Sequence, residues 1–168
     1  MQRLMAPDCS LPEYVGLLGR FCTVYGALEP ALQQGPEAAR LGYAPRQALF
    51  VQALQALQAD SPAPETGWIG PRTAPRVDRT AARWGCLYVV EGSALGGQLI
   101  HRHLRQCLPP CPPQALAPWL PYADAGRQWA VLRQHLEPAL AAPQALDEAI
   151  ETAVAVFGVF QEVLGGGP

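Results

Sequence analysis

Leu87-Tyr88-Val89-Val90-Glu91-Gly92-Ser93-Ala94-Leu95-Gly96-Gly97-Gln98-Leu99-Ile100 reads as the middle of one long helix, yet it contains three glycines. An interior glycine costs about 1 kcal/mol relative to alanine, so Gly92, Gly96 and Gly97 call for a contact that a Cβ would obstruct. Gly92 and Gly96 lie one turn apart on the same face, with Gly97 at its border. Two readings fit this bare strip. Small residues at i and i+4 let two helix axes cross closely; alternatively a flat ligand lies against the exposed backbone, where the weakened ladder permits a bend. A membrane dimer motif is excluded, because Glu91, Gln98, His101 and Arg102 interrupt any apolar run of the roughly 18 residues that spanning requires.

Outward from this stretch, the pattern is helical throughout. Ser10-Leu11-Pro12-Glu13 has the form of a capping box and predicts a helix start. Tyr14, Leu18, Phe21, Tyr25, Leu28 and Leu32 follow at spacings of four and three, a single stripe facing a core. Pro30 is expected to kink or end this helix, with Gly35-Pro36 as a turn. A second helix is expected from Pro45 to about Ala59, with Leu49, Ala53, Leu54 and Leu57 inward. Residues 60–76 have loop composition, with Pro62, Pro64, Pro71, Pro75, Gly67 and Gly70, and Trp68 and Ile69 are expected to pin the loop to the body.

The glycine-containing helix is expected to run from about Val77 to Leu108, where Pro109-Pro110-Cys111-Pro112-Pro113 must stop it. Shorter helices are expected over about 114–120 and 124–141. The last should run from about Gln144 to Leu164, with Leu146, Ile150, Ala153, Val154, Phe157 and Phe160 as its stripe and the terminal glycines as its end. No period-2 strand and no internal repeat is present, which predicts a single all-α domain over residues 1–168.

Composition narrows the function classes. A chain of 168 residues can bury a substantial core. Its net charge of −2 gives no basis for nucleic-acid binding or for electrostatic attachment to a membrane. All twelve basic residues are arginines, groups suited to bidentate binding of carboxylates. Met1 to Pro12 contains no apolar signal core, which points to a cytoplasmic protein. Cys9, Cys22, Cys86, Cys107 and Cys111 are scattered and odd in number, favouring reduced thiols over a disulfide framework. His103, Cys107 and Cys111 are spaced by four, but the proline cluster breaks the helix after Leu108, so no metal site is expected there.

The run Gly85-Cys86-Leu87-Tyr88-Val89-Val90-Glu91-Gly92-Ser93-Ala94-Leu95-Gly96-Gly97-Gln98 resembles the distal-helix signature of haem oxygenases, of the form G-x-L-Y-V-x-E-G-S-x-L-G-G-Q in the bacterial branch found beside bacteriophytochromes. The resemblance extends over almost the whole chain, including the Ser10 to Leu32 helix with Tyr14 and Glu29, the Trp129 helix preceded by Tyr122, and the Ala153 to Phe160 segment. It implies a haem-oxygenase-like multihelical bundle in which Gly92, Gly96 and Gly97 face haem as the distal backbone. It further implies that Ser93 organises distal water as a proton relay, with a hydroxyl bonded back to its own helix as the structural alternative, and that Phe157 edges the pocket or serves the core.

The implied chemistry is oxidative cleavage of haem, at once substrate and cofactor, to biliverdin, iron and carbon monoxide. It uses O2 and electrons from an external ferredoxin or reductase, and in this branch the biliverdin becomes a chromophore, which implies a bacteriophytochrome as partner. The family's proximal histidine lies upstream of the segment matching Ser10 to Tyr14, and Met1 to Cys9 contain no histidine. The proximal wall is therefore expected to be either lost or encoded upstream. His101, His103 and His135 read as solvated surface histidines, and Arg76, Arg79, Arg83, Arg127 and Arg133 as candidate partners for the propionates. The competing reading is a non-catalytic haem-oxygenase-like protein that binds a tetrapyrrole or a partner. A third, an all-α enzyme acting on another small molecule, is weakened by the absence of paired carboxylates or a nucleophile–base set.

Overall fold

The capping box forms. The Ser10 amide donates to the Glu13 carboxylate at 2.9 Å while the Ser10 hydroxyl accepts from the Glu13 amide, and α1 then runs Leu11–Gln33. The computed structural model describes residues 5, 8–58, 75–94, 96–120 and 125–165. Among these, every element is helical: α1, α2 (Pro36–Leu41), α3 (Gln47–Ala56), α4 (Thr80–Ala94), α5 (Gly97–Cys107), a 3-10 helix (Pro113–Trp119), α6 (Ala125–Ala139) and α7 (Pro143–Gly165). No helix among them is long and apolar enough to cross a membrane. Trp68, Ile69 and Tyr122 lie outside the described residues.

The α1 stripe is buried as its spacing predicts, from Tyr14 to Leu32. Pro30 does not end the helix, which continues to Gln33. The proline deprives only the Gly26 carbonyl of its donor, and burial of Leu28, Glu29 and Leu32 on either side holds the final turn in place. Gly35-Pro36 opens the short helix α2, closed by Gly42 in the left-handed conformation at φ 69°. The helix expected from Pro45 starts at Gln47 and stops at Ala56, and it buries Phe50 along with Ala53 and Leu54. Phe21, Tyr25 and Phe50 stack at 5.2–6.4 Å, and Trp119 and Phe160 meet them edge-on or tilted, so α1, α3, the 3-10 helix and α7 share one aromatic core. Tyr14 anchors the 3-10 helix by donating to the Ala115 carbonyl at 2.7 Å and accepting from the Trp119 indole at 2.8 Å.

Two expectations are corrected. The helix expected over Val77–Leu108 is two helices, α4 and α5, parted at Gly96, whose amide bonds back to the Ser93 carbonyl at 3.3 Å. Adjacent glycines at 96 and 97 make the helical ladder cheap to interrupt. The stripe expected on α7 is also turned. Phe160 is buried and Ala153 half-buried as expected, but Leu146, Ile150, Val154 and Phe157 are exposed, and the other buried residues are Ala149, Thr152, Val156, Val159 and Val163.

The cause of that rotation is Gly85. A Cβ on Gly85 would overlap the carbonyl oxygen of Ala149, so α4 and α7 touch backbone to backbone at this point. The small residues set the closest approach, and the large apolar side chains one position away are left outside it. Helix crossing is thus the role of Gly85, while Gly92, Gly96 and Gly97 occupy other surroundings.

Glu37 on α2 and Arg83 on α4 form a nearly solvent-free pair, Nε to Oε2 at 2.6 Å. Burial raises the Glu37 pKa, but hydrogen bonds from Arg83, its own backbone amide and Thr80 outweigh that effect and hold it below its usual value of 4.5. A carboxyl depressed in the folded state adds stability above the unfolded pKa and loses it as pH falls through the folded one. Glu37→Gln should therefore lower stability at pH 7 by about 1–3 kcal/mol. In urea titrations that difference should shrink as the pH drops below 4.5. Gly85→Ala should cost about 1–3 kcal/mol through overpacking. Gly96→Ala, whose Cβ would come no nearer than 3.7 Å to the Ser93 carbonyl, should be neutral or slightly stabilising in the same assay.

Candidate functional site

Ser93 and Ile100, on either side of the α4–α5 break, help to line a cavity of about 430 Å3 together with Phe21, Tyr25, Val89, Trp119, Phe157, Phe160, Gln161 and Leu164, while Gly92, Gly96 and Gly97 are not among its lining residues. Its position follows from the helices already described. α4 delivers Val89 and Ser93 one turn apart, α5 delivers Ile100 just past the glycines, and α7 delivers Phe157 and Phe160. Apolar walls with a few placed polar groups are the usual construction of a small-molecule site.

A buried polar hub fixes the α4 side of this cavity. Arg46, at the start of α3, donates to the Glu91 carboxylate at 2.8 Å and to the Val90 carbonyl at 2.7 Å. Its guanidinium also lies over the rings of Tyr43 and Tyr25 at 5.5 and 5.9 Å. Glu29 on α1 accepts from the Tyr43 hydroxyl at 2.7 Å and from the Arg46 and Gln47 amides. Burial pushes the Glu91 carboxyl up in pKa, against the Arg46 guanidinium that holds its charge. Ser93 donates to the same Val90 carbonyl at 2.7 Å, so one backbone oxygen receives both the hub and the cavity's hydroxyl. Glu91 belongs to the glycine-containing signature and Glu29 to the α1 segment of the resemblance, but Arg46 carried no motif and nothing in the sequence paired it with them.

The site residues expected from sequence are partly brought together. Ser93 and Phe157 line the cavity. Phe157 is 48% exposed and its ring reaches the cavity from the rim, so its expected core role is not what the packing shows. Ser93 is bonded back to its own helix, to the carbonyl three residues earlier. Gly92 faces α6, where a Cβ would stand 3.2 Å from the Trp129 ring. The Cβ direction at Gly96 is nearly open, and Gly97 is buried.

None of the expected propionate partners lines the cavity. Arg83 pairs with Glu37 and Arg79 with Glu148 at 3.5 Å. Instead Arg102 and Arg105, with Gln98, His101 and Gln106, line an adjoining groove of about 510 Å3 that shares the Trp119 wall. His135 is not simply solvated: it is half-buried, stacked on Trp84 at 5.7 Å. Among the described residues no group of three or more His, Cys, Asp or Glu side chains could hold a metal ion.

Comparison with known proteins gives one informative similarity. Over 94 residues the chain is 38% identical to a protein named heme oxygenase from Xanthomonas campestris pv. campestris (strain 8004). The match covers 54% of this chain and 54% of that protein, so the chain spans about half the length of the curated relative it matches. No family model and no solved structure matches.

Proposed function

We propose that the cavity at the α4–α5 break is one wall of a tetrapyrrole site, and that the chain is a haem-oxygenase-like protein acting on haem. The observation that carries this reading is the coincidence of three features at one place: the glycine break, an apolar aromatic-lined cavity and a basic groove beside it. The similarity to a heme oxygenase supports it.

The residues fit the macrocycle and not its metal. Val89, Ile100, Phe157, Phe160 and Leu164 suit the apolar faces of a porphyrin. The cavity-lining residues include no imidazole, thiol or thioether, the side chains that most often ligate haem iron. His101 belongs to the neighbouring groove and His135 to the Trp84 stack. The ring is therefore held here by shape and burial, and no iron ligand is assigned within the chain.

Haem held here would supply O2-activating iron chemistry, with electrons from an external ferredoxin or reductase, of the kind that yields biliverdin, iron and carbon monoxide. The protein's part is to exclude water with the aromatic walls and to place polar groups at the edge. Ser93 directs its proton to the Val90 carbonyl, which leaves the hydroxyl oxygen as an acceptor for a water or ligand proton. Gln161 offers both donor and acceptor on the α7 side. A bacteriophytochrome taking up the product belongs to the same reading.

Titration with haemin and with metal-free protoporphyrin tests it directly. Both should quench tryptophan emission with affinities within about threefold of each other, since no iron ligand distinguishes them, and added imidazole should convert the haemin spectrum towards a nitrogen-ligated form. Ile100→Trp, which fills the cavity, should weaken both ligands at least tenfold with unchanged far-ultraviolet circular dichroism. Tight haemin binding indifferent to imidazole, or full binding by Ile100→Trp, would refute the assignment.

A further inference from the structure

Among the described residues, the large apolar side chains left exposed are not scattered. Leu146, Ile150, Val154 and Phe157 form one stripe on α7, each 44–65% exposed, and they share with Tyr88 of α4 a groove of about 500 Å3. The other two are at the far end of the same surface: Leu120 lines the basic groove, and Leu99 adjoins its Gln98 on α5. Three hollows therefore follow one another across the molecule. The basic groove shares Trp119 with the central cavity, and the central cavity shares Phe157 with the α7 groove.

Charge is opposite at the two ends. Residues 92–122 contain no acidic residue, and Arg102 and Arg105 stand exposed one turn apart on α5. α7, Pro143–Gly165, contains no basic residue, and its Asp147 and Glu151 border the apolar stripe on the solvent side. A surface that is basic at one end, acidic at the other and apolar between is complementary to a copy of itself turned through half a revolution.

The extent of the patch agrees with this. Its seven exposed apolar side chains leave on the order of 600 Å2 uncovered, the upper limit of what a lone monomer carries. With the charged rim it approaches the roughly 800 Å2 that each partner of a stable complex buries. Gly158, beside Phe157 on the exposed side of α7, is a second and separate sign. A Cβ there would meet nothing within 4 Å, so no contact inside the chain calls for a residue that weakens the helix. Bare backbone at this level lets another surface come close.

We propose that two copies of this chain pair through this face about a two-fold axis at the mouth of the central cavity, α5 of each copy lying on α7 of the other. Arg102 and Arg105 of one copy then meet Asp147 and Glu151 of the second, twice over, and the apolar stripes exclude water between them. Pairing α7 with α7 is disfavoured, because it sets an all-acidic helix against itself. The pairing closes the cavity mouth and goes beyond the tetrapyrrole reading, since it requires no ligand.

Sedimentation equilibrium and light scattering on the purified chain test this. The expected result is a reversible dimer with a dissociation constant in the micromolar range. It should weaken at least fivefold between about 0.1 and 1 M salt, as the screening length falls from about 10 to 3 Å. Val154→Glu should give a monomer with unchanged circular dichroism. Reversing the basic end (Arg102→Glu with Arg105→Glu) or the acidic end (Asp147→Arg with Glu151→Arg) should abolish self-association, whereas the two reversed chains mixed together should form a one-to-one heterodimer. A wild-type chain still monomeric at hundreds of micromolar, a dimer that survives Val154→Glu, reversed chains of native circular dichroism that fail to pair with each other, or a mass that climbs without limit as concentration rises would overturn the proposal. These readouts hold whether or not a tetrapyrrole binds.

Discussion

The buried contact of Arg46 with Glu91 and the Val90 carbonyl is the constraint on which the remaining geometry depends. Moving a guanidinium and a carboxylate out of water costs several kcal/mol for each ion, so such a pair is tolerated only when every polar atom finds a partner. Here the condition is met by sharing: Glu29 receives Tyr43 and the Arg46 and Gln47 amides, while Arg46 serves Glu91 and the α4 backbone. Among the described residues no buried side-chain polar atom lacks a hydrogen bond. A fully satisfied network of this kind has one low-energy arrangement, and it ties α1, α3 and α4 into a single register.

That register reaches the cavity through one atom. The Val90 carbonyl accepts from Arg46 on one side and from Ser93 on the other. Ser93 is therefore oriented by the hub, and the turn of α4 that carries it is held where the glycines let the helix end. On the opposite side of α4, Gly85 performs the second positioning task by admitting the Ala149 backbone. The close approach of α4 and α7 brings Phe160 into the aromatic core and leaves Phe157 at the cavity rim.

How much of this was legible in the sequence differs by residue. The α1 stripe and its capping box were, because both are local patterns in which the partner lies three or four residues away. Trp119 and Phe50 were not assigned a role, since neither belongs to a periodic pattern long enough to read, and their edge-to-face contact exists only once α3 and the 3-10 helix meet. The α7 stripe was misread for a related reason: Leu146, Ile150, Val154 and Phe157 have the right period, and hydrophobicity alone puts the largest side chains inward. Which apolar face a helix buries is decided by shape, and Gly85 against Ala149 outweighs the greater apolar area one step round the helix. Of the glycines, Gly96 was legible only as a place where one continuous helix could bend, and the partner of Gly92, the Trp129 ring, was visible only in three dimensions.

The sequence by itself determined that the regular elements of the described residues are helices, where α1 begins, and that the backbone around Gly92, Ser93 and Gly96 is unusual, because helix propensity, capping and glycine cost act over a single turn. Tertiary structure alone decided the rotation of α7, the division of the glycine helix into α4 and α5, the Arg46 hub and the cavity beside Ser93. Each of these is a contact between residues distant in the chain, and its energy exists only once packing has removed both partners from water.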